Sequence, residues 1–161
     1  MIDRIVFVLR LALGGVFLAA GGLKVGHADV FASEIAGFQL LPHPLIAPLA
    51  LLLPFLELMI GIYLLVGLFT RFAAWFAALE MAVFAAAIAS AVLRGISTSC
   101  GCFGPSDHAM TSWPEVGRDI GLMLVAVIIA WRAPGALALD RRMEMSDGGA
   151  ALGIEERSSS L

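Results

Sequence analysis

The sequence predicts an all-α membrane protein: four transmembrane helices in one bundle, with the N- and C-termini both cytoplasmic. Three observations carry this. The composition is too apolar for a water-soluble domain, with 60% of 161 residues hydrophobic and 14% charged, against about 45–50% and 25% in soluble domains. The apolar residues fall into four runs close to the roughly 20 residues that a helix needs to cross a bilayer. The lysines and arginines favour one set of helix ends. Two function classes are excluded at once. A net charge of −3 leaves no basic excess to neutralise phosphates, so nucleic acid is not an expected partner. Alternating ten-residue strands are missing from the pattern, which argues against a barrel.

The first span covers residues 4–23 and holds one charge, Arg10, after its first two turns. Its apolar stretch continues past any small-residue cleavage site, so it reads as a span rather than a signal peptide. Residues 24–43 form a loop in which Phe31, Ile35 and Phe38 recur at helical spacing, predicting a short helix on the membrane surface. Pro42 and Pro44 end that segment and start the second span, 44–68, with Glu57 inside it. Residues 67–71 make a tight turn into the third span, 72–93, which contains Glu80. Residues 95–114 form a second long loop, rich in Ser, Thr, Gly and Cys. The fourth span, 115–132, is apolar from Ile120 to Trp131 and begins with a wet, charged turn. Residues 1–133 thus make one transmembrane domain, followed by a polar, Ser-ended cytoplasmic tail, 134–161, expected to be disordered.

Orientation follows from the basic residues. One side collects Arg4, Arg10, Arg71, Arg132, Arg141, Arg142 and Arg157, and the other Lys24, Arg94 and Arg118. The richer side is cytoplasmic. Both long loops therefore face the periplasm or cell exterior, and the localisation is the cell inner membrane, multi-pass. Small residues are expected to seam the helices: Gly15 and Ala19, with Gly14, Gly21 and Gly22 nearby; Gly61; and the stripe Ala74, Ala78, Ala82, Ala86.

Arg10, Glu57 and Glu80 need a different account. A charge near the bilayer middle costs about 2.5–3.5 kcal/mol unless paired or wet. Counted at 1.5 Å per residue from the cytoplasmic end of each span, they lie at about 10, 16 and 13 Å. Arg10 is therefore expected to pair with one or both carboxylates. Such a pair either fixes helix register or serves as a proton route or a contact for a quinone head.

Both cysteines lie in the second loop, within STSCGCFGP at residues 97–105. Cys100 and Cys102 are separated by Gly101 alone, and three readings are open. As a redox dithiol they would close a very small ring, turned at the glycine, whose bridge is readily reduced and passes its oxidation onward. As a soft-metal site, two thiolates and His108 supply three ligands with no clear fourth, so no metal is assigned. As inert cysteines they would be expected in a packed helix, not among Gly, Ser and Pro. Composition favours the first. His108 is a weak helper candidate, and Arg118-Asp119 at the head of the fourth span either anchors the loop or snorkels at the interface.

The residues RLALGGVFLAAGGLK (10–24), FASEIAGFQLLP (31–42), PFLELMIGIYLLVG (54–67), Thr70-Arg71, Arg94-Gly95, CGCFG (100–104), Trp113 and Arg118-Asp119 resemble the MauE/DoxX family of small four-helix membrane proteins. The resemblance covers most of residues 4–131, and its specific part is the Cys-Gly-Cys-Phe-Gly loop. It implies a role in maturing a periplasmic protein, the disulfide-rich methylamine dehydrogenase β-subunit, by helping its folding, export or disulfide formation. It further implies a thioredoxin-like periplasmic partner, Cys100 and Cys102 as the redox pair, and Glu57 as a family-typical carboxylate. The plan is also similar to vitamin K epoxide reductase and DsbB disulfide generators, which use two cysteine pairs and a quinone. One pair here requires a direct handoff to a quinone or reoxidation by a partner protein. The competing class is a membrane module for a soft metal, or a non-catalytic subunit of a quinone-linked DoxX-type oxidoreductase.

Overall fold

A computed structural model of the protein describes residues 2–100 and 110–132. Among them lie five α-helices: α1 (Ile2–Lys24), α2 (Ala28–Gly37), α3 (His43–Val66), α4 (Thr70–Leu93) and α5 (Trp113–Arg132). The protein is an all-helical membrane protein. Three of its helices, α1, α3 and α4, are long and apolar enough to cross a bilayer. The expected fourth span is a helix of 20 residues, but Glu115, Arg118 and Asp119 charge its first two turns.

Helix boundaries follow local chemistry. Gly26, at φ 89°, lets the chain reverse between α1 and α2. Pro44 sits in the first turn of α3, where a missing N–H costs nothing. Gly67, at φ 76°, caps α3, its N–H donating to the Tyr63 carbonyl at 2.9 Å. Phe69 is left-handed at φ 49°, a costly conformation for a bulky residue. Its ring packs edge-on against Tyr63 with centroids 6.4 Å apart. Ser112 and Glu115 hydrogen-bond across the first turn of α5, as a Ser-x-x-Glu start does.

The long helices alternate in direction. α1 packs extensively on α3, and α4 on α5; α2 lies on α3, while α1–α5 and α3–α4 touch only sparsely. The core lies toward the end carrying the Gly67 turn, where Leu13, Phe17, Leu64, Ala74, Ala77, Ala126 and Ile129 are buried together. The α1–α3 seam is set by glycines. A Cβ on Gly14 would lie 3.1 Å from the Gly61 carbonyl oxygen, and one on Gly21 2.7 Å from that of Pro54. This corrects the expected seam: Gly15 and Ala19 are exposed, and the contact face is Gly14, Leu18 and Gly21. The α4 stripe is corrected likewise. Ala73, Ala74, Ala77, Ala78 and Ala85 are buried, whereas Ala86 is exposed, because 3.6 residues per turn rotate a strict i, i+4 row off the contact face.

Candidate functional site

Two buried polar centres occupy the half of the bundle opposite the core. The first joins α1, α3 and α4. Lys24 and Glu57 are each 1% exposed, and the Lys24 ammonium donates to Glu57 Oε1. The ammonium also lies 5.0 Å from the Phe31 ring centroid and 5.5 Å from that of Phe84, so aromatic faces replace part of its hydration. Glu80, buried on α4, is the second carboxyl of this centre and interacts with Glu57 and Lys24.

The cation here is thus Lys24 and not Arg10, a correction with a geometric cause. Gly21 of α1 packs against Pro54 and Glu57. Arg10 precedes Gly21 by eleven residues, about 16 Å along the helix axis. It is buried beside the core, with its guanidinium 5.4 Å from the Phe7 ring. Counting depth from each span's own end assumed flush helix ends. α1 instead starts well before α3 finishes, and the Lys24 stem folds back into the bundle from its outer end.

The second centre surrounds Cys100. Strands of the loop meet at a short neck: Thr111 N–H donates to the Thr98 carbonyl at 2.9 Å, Thr111 Oγ1 donates to the Ile96 carbonyl at 2.9 Å, and Ser99 pairs with Met110 in an isolated antiparallel bridge. Cys100 follows this neck and is 6% exposed, packed with Ile88 and Val116. Arg118 Nη2 donates to Cys100 Sγ at 3.5 Å, and Arg118 Nε donates to Asp119 Oδ1 at 3.0 Å. Asp119 is buried. A guanidinium held against a sulfur stabilises negative charge on it, and the buried Asp119 carboxylate, against the same Nε/Nη2 edge, fixes its aim.

Helix α2 is tied to this centre from above. Ser99 Oγ donates to Glu34 Oε1 at 3.1 Å, Arg94 Nη2 donates to the Phe38 carbonyl at 2.5 Å, and Gly37 abuts Thr98 so closely that a Cβ there would collide with its hydroxyl. α2 thereby covers the sparse α3–α4 contact and leaves beneath it a cavity of about 370 Å³, apolar but for Glu34, Glu80 and Cys100. A void of about 20 Å³, lined by Glu57, Arg118 and Asp119 among others, separates the two polar centres. That is room for about one water.

Of the expected site residues, Glu57 and Glu80 meet in the first centre and Cys100, Arg118 and Asp119 in the second. Cys102 and His108 lie outside the described residues, as does the 134–161 tail. The helix expected from Phe31, Ile35 and Phe38 is α2. Two functional candidates were missed. Glu34 falls between Phe31 and Phe38 on one helical face, and Lys24 continues the Gly14, Phe17, Gly21 row at spacings of three and four. Both signals stand in the sequence.

Comparison with known proteins bears on this arrangement. A protein-family profile described as methylamine utilisation protein MauE matches residues 2–132. The chain is 38% identical over 132 residues to the methylamine utilization protein MauE of Methylorubrum extorquens, covering 81% of this chain and 70% of the relative. The protein of that name from Paracoccus denitrificans is 35% identical over 134 residues, covering 83% and 72%. That of Paracoccus versutus is 33% identical over 129 residues, covering 80% and 69%. No solved structure matches the chain.

Proposed function

The chain belongs to the MauE family of methylamine utilisation proteins, and on that premise we propose that it is a multi-pass inner-membrane accessory protein that matures a periplasmic client by thiol–disulfide exchange. The client class that the family description supports is a protein of methylamine utilisation, such as the disulfide-rich dehydrogenase β-subunit, served together with a thioredoxin-like periplasmic partner. α5 is the fourth span, its apolar part crossing the bilayer and its charged first turns holding the outer loop. The termini are cytoplasmic, in keeping with the arginine asymmetry.

One observation carries the chemistry: the Arg118 guanidinium on Cys100 Sγ, aimed by buried Asp119. In the oxidised protein Cys100 and Cys102 share a disulfide. A client thiolate attacks the Cys102 sulfur, and the S–S bond breaks with Cys100 leaving as the thiolate that Arg118 stabilises. A second client thiolate then attacks the mixed disulfide at the client's own sulfur. The client gains a disulfide, and Cys100 and Cys102 end as a dithiol. The burial of Cys100 supports its being the leaving sulfur, since an incoming client sulfur cannot line up with it from the water side.

The test is labelling with a mass-tagging maleimide in intact cells, with and without prior reduction, followed by titration in glutathione buffers. Two thiols that appear only after reduction, and a mixed disulfide that accumulates in Cys100→Ser but not in Cys102→Ser, are expected. Thiols that stay reduced under oxidising buffers, or that react only once the cytoplasmic side is opened, overturn the proposal.

A further inference from the structure

The cavity of about 370 Å³ between α2, α3 and α4 has a hydrocarbon wall. Its two carboxyl residues turn their oxygens away from it. Both Glu80 oxygens are closed off, and that carboxyl hydrogen-bonds with Glu57. Glu34 Oε1 takes the Ser99 hydroxyl, and its Oε2 is equally closed off. A polar guest would lose its hydration there and gain no partner, and water does not settle in an apolar cavity. The cavity opens sideways. Leu79 and Val83, on its α4 wall, are 61% and 58% exposed on a helix apolar enough to cross the bilayer. What fills it therefore comes from the lipid phase. The space is long and narrow. It runs beside α4 from Phe76 to Ile88, about 18 Å at 1.5 Å per residue, which gives a mean cross-section of about 20 Å². A helix with its side chains is about 10 Å across, or about 80 Å², so no helix of a partner or a second copy fits. A single hydrocarbon chain does.

A cation stands at the Ile88 end. Phe38, on the cavity wall, gives its carbonyl to Arg94 Nη2 at 2.5 Å. Arg94 directly follows α4, where a span of that length reaches the headgroups. Its Nε and Nη2 tie back to Ser90, but it is exposed and meets no carboxylate among the described residues. We propose that a membrane phospholipid is bound here, with one acyl chain in the cavity and its phosphate on Arg94. The slot selects the chain and the guanidinium selects the headgroup, since arginine and phosphate form charge-assisted hydrogen bonds. The chain supplies packing that α3 and α4, in sparse contact, do not give each other. The inference needs none of the thiol chemistry proposed above.

The test uses the full chain in detergent, read by native mass spectrometry. As purified, the chain should retain one phospholipid through dilution. After delipidation it should bind dioleoylphosphatidylglycerol about tenfold or more tighter than dioleoylglycerol, the factor that a hydrogen bond to a charged group supplies. Arg94→Gln should erase that preference by weakening the phospholipid alone, a readout that mere loosening of α2 would not move, and Arg94→Lys should keep part of it. Ala87→Phe, which fills the cavity, should bind neither lipid. Ala86→Phe, at an exposed position one residue away, should bind both as the wild type does. Glycerol phosphate, which has no chain, should displace nothing. No retained lipid, binding that does not saturate, equal affinity for the two lipids in the wild type, or a preference that survives in Arg94→Gln overturns the inference. So does equal binding by the Ala86 and Ala87 variants, or displacement by glycerol phosphate.

Discussion

Replacing Lys24 by Met tests the first polar centre most directly. The Lys24 side chain is 0% exposed and that of Glu57 is 2%. Losing the ammonium leaves the Glu57 carboxylate without its cation and facing Glu80, a second acidic group. Breaking a buried pair by removing one partner costs about 3–5 kcal/mol, most of it the stranded charge. The aromatic contacts of the ammonium, worth up to about 2 kcal/mol when desolvated, fall within that loss rather than adding to it, because Met still fills the space between Phe31 and Phe84. Each 1.4 kcal/mol is tenfold, so the folding equilibrium should shift by about a hundredfold to several thousandfold. Reversible unfolding in mixed micelles, followed by the fluorescence of Trp75, Trp113 and Trp131, measures it. Adding Glu57→Gln to Lys24→Met removes the stranded charge and should recover all but about 1–2 kcal/mol. A loss below about 1 kcal/mol for Lys24→Met, or a double variant whose losses simply add, refutes the coupling. Arg10→Leu combined with Glu57→Gln should add within about 0.5 kcal/mol, since the two residues are far apart and share no helix turn.

The seam between α1 and α3 predicts opposite outcomes for two neighbouring glycines. Gly21→Ala drives a Cβ to 2.7 Å from a backbone oxygen and should cost about 1–3 kcal/mol, while Gly15→Ala meets nothing within 4 Å and should be neutral or stabilising by up to about 1 kcal/mol; the same unfolding assay reads both. Gly67→Ala at φ 76° should lose about 1 kcal/mol with no change in thiol reactivity. Arg118→Ala in a Cys102→Ser background should slow maleimide labelling of Cys100 about tenfold near neutral pH and steepen its rise with pH, with Arg118→Lys between the two. Equal pH profiles in the presence and absence of Arg118 would mean that the guanidinium only packs.

The helices were legible because bilayer-length apolar runs, proline and glycine punctuation and the 67–71 turn are local signals. The expected spans 44–68 and 72–93 lie within two residues of α3 and α4 at every end, and the end at Leu93 coincides. The seam was not legible at residue level. A glycine-rich helix such as α1 carries Gly14, Gly15, Gly21 and Gly22, and only the partner decides which of two adjacent glycines is buried. Here the choice falls on 14 and 21, because Gly61 and Pro54 present bare backbone at those heights. For Cys100, loop composition argued for chemistry rather than core packing, yet the residue is buried against Ile88 and Val116. It is placed there by flanking threonine and serine contacts that no apolar pattern announces.

The misplaced cation shows what governs register in such a bundle. Charge depth counted along each helix treats the membrane as the reference and the helices as independent. Close backbone approach is the stronger constraint, since the backbone and side-chain atoms that a Cβ would meet at Gly14 and Gly21 leave no room for a larger residue there. Once Gly14 and Gly21 meet Gly61 and Pro54, Glu57 must lie near residues 20–24 of α1, and the only base there is Lys24. Lys24 then has one route to a partner: its stem turns inward, between Phe31 and Phe84. The short helix α2 supplies the first of those rings, so the buried ion pair and the cover over the Cys100 cavity are built from the same segment. A change that empties the space between Phe31 and Phe84 should therefore loosen α2 and expose Cys100 to water, and Lys24→Ala in the Cys102→Ser background should raise labelling by a sulfonated maleimide toward the rate of a membrane-soluble one. Labelling that stays selective for the lipid-soluble reagent would show that the two centres are mechanically independent.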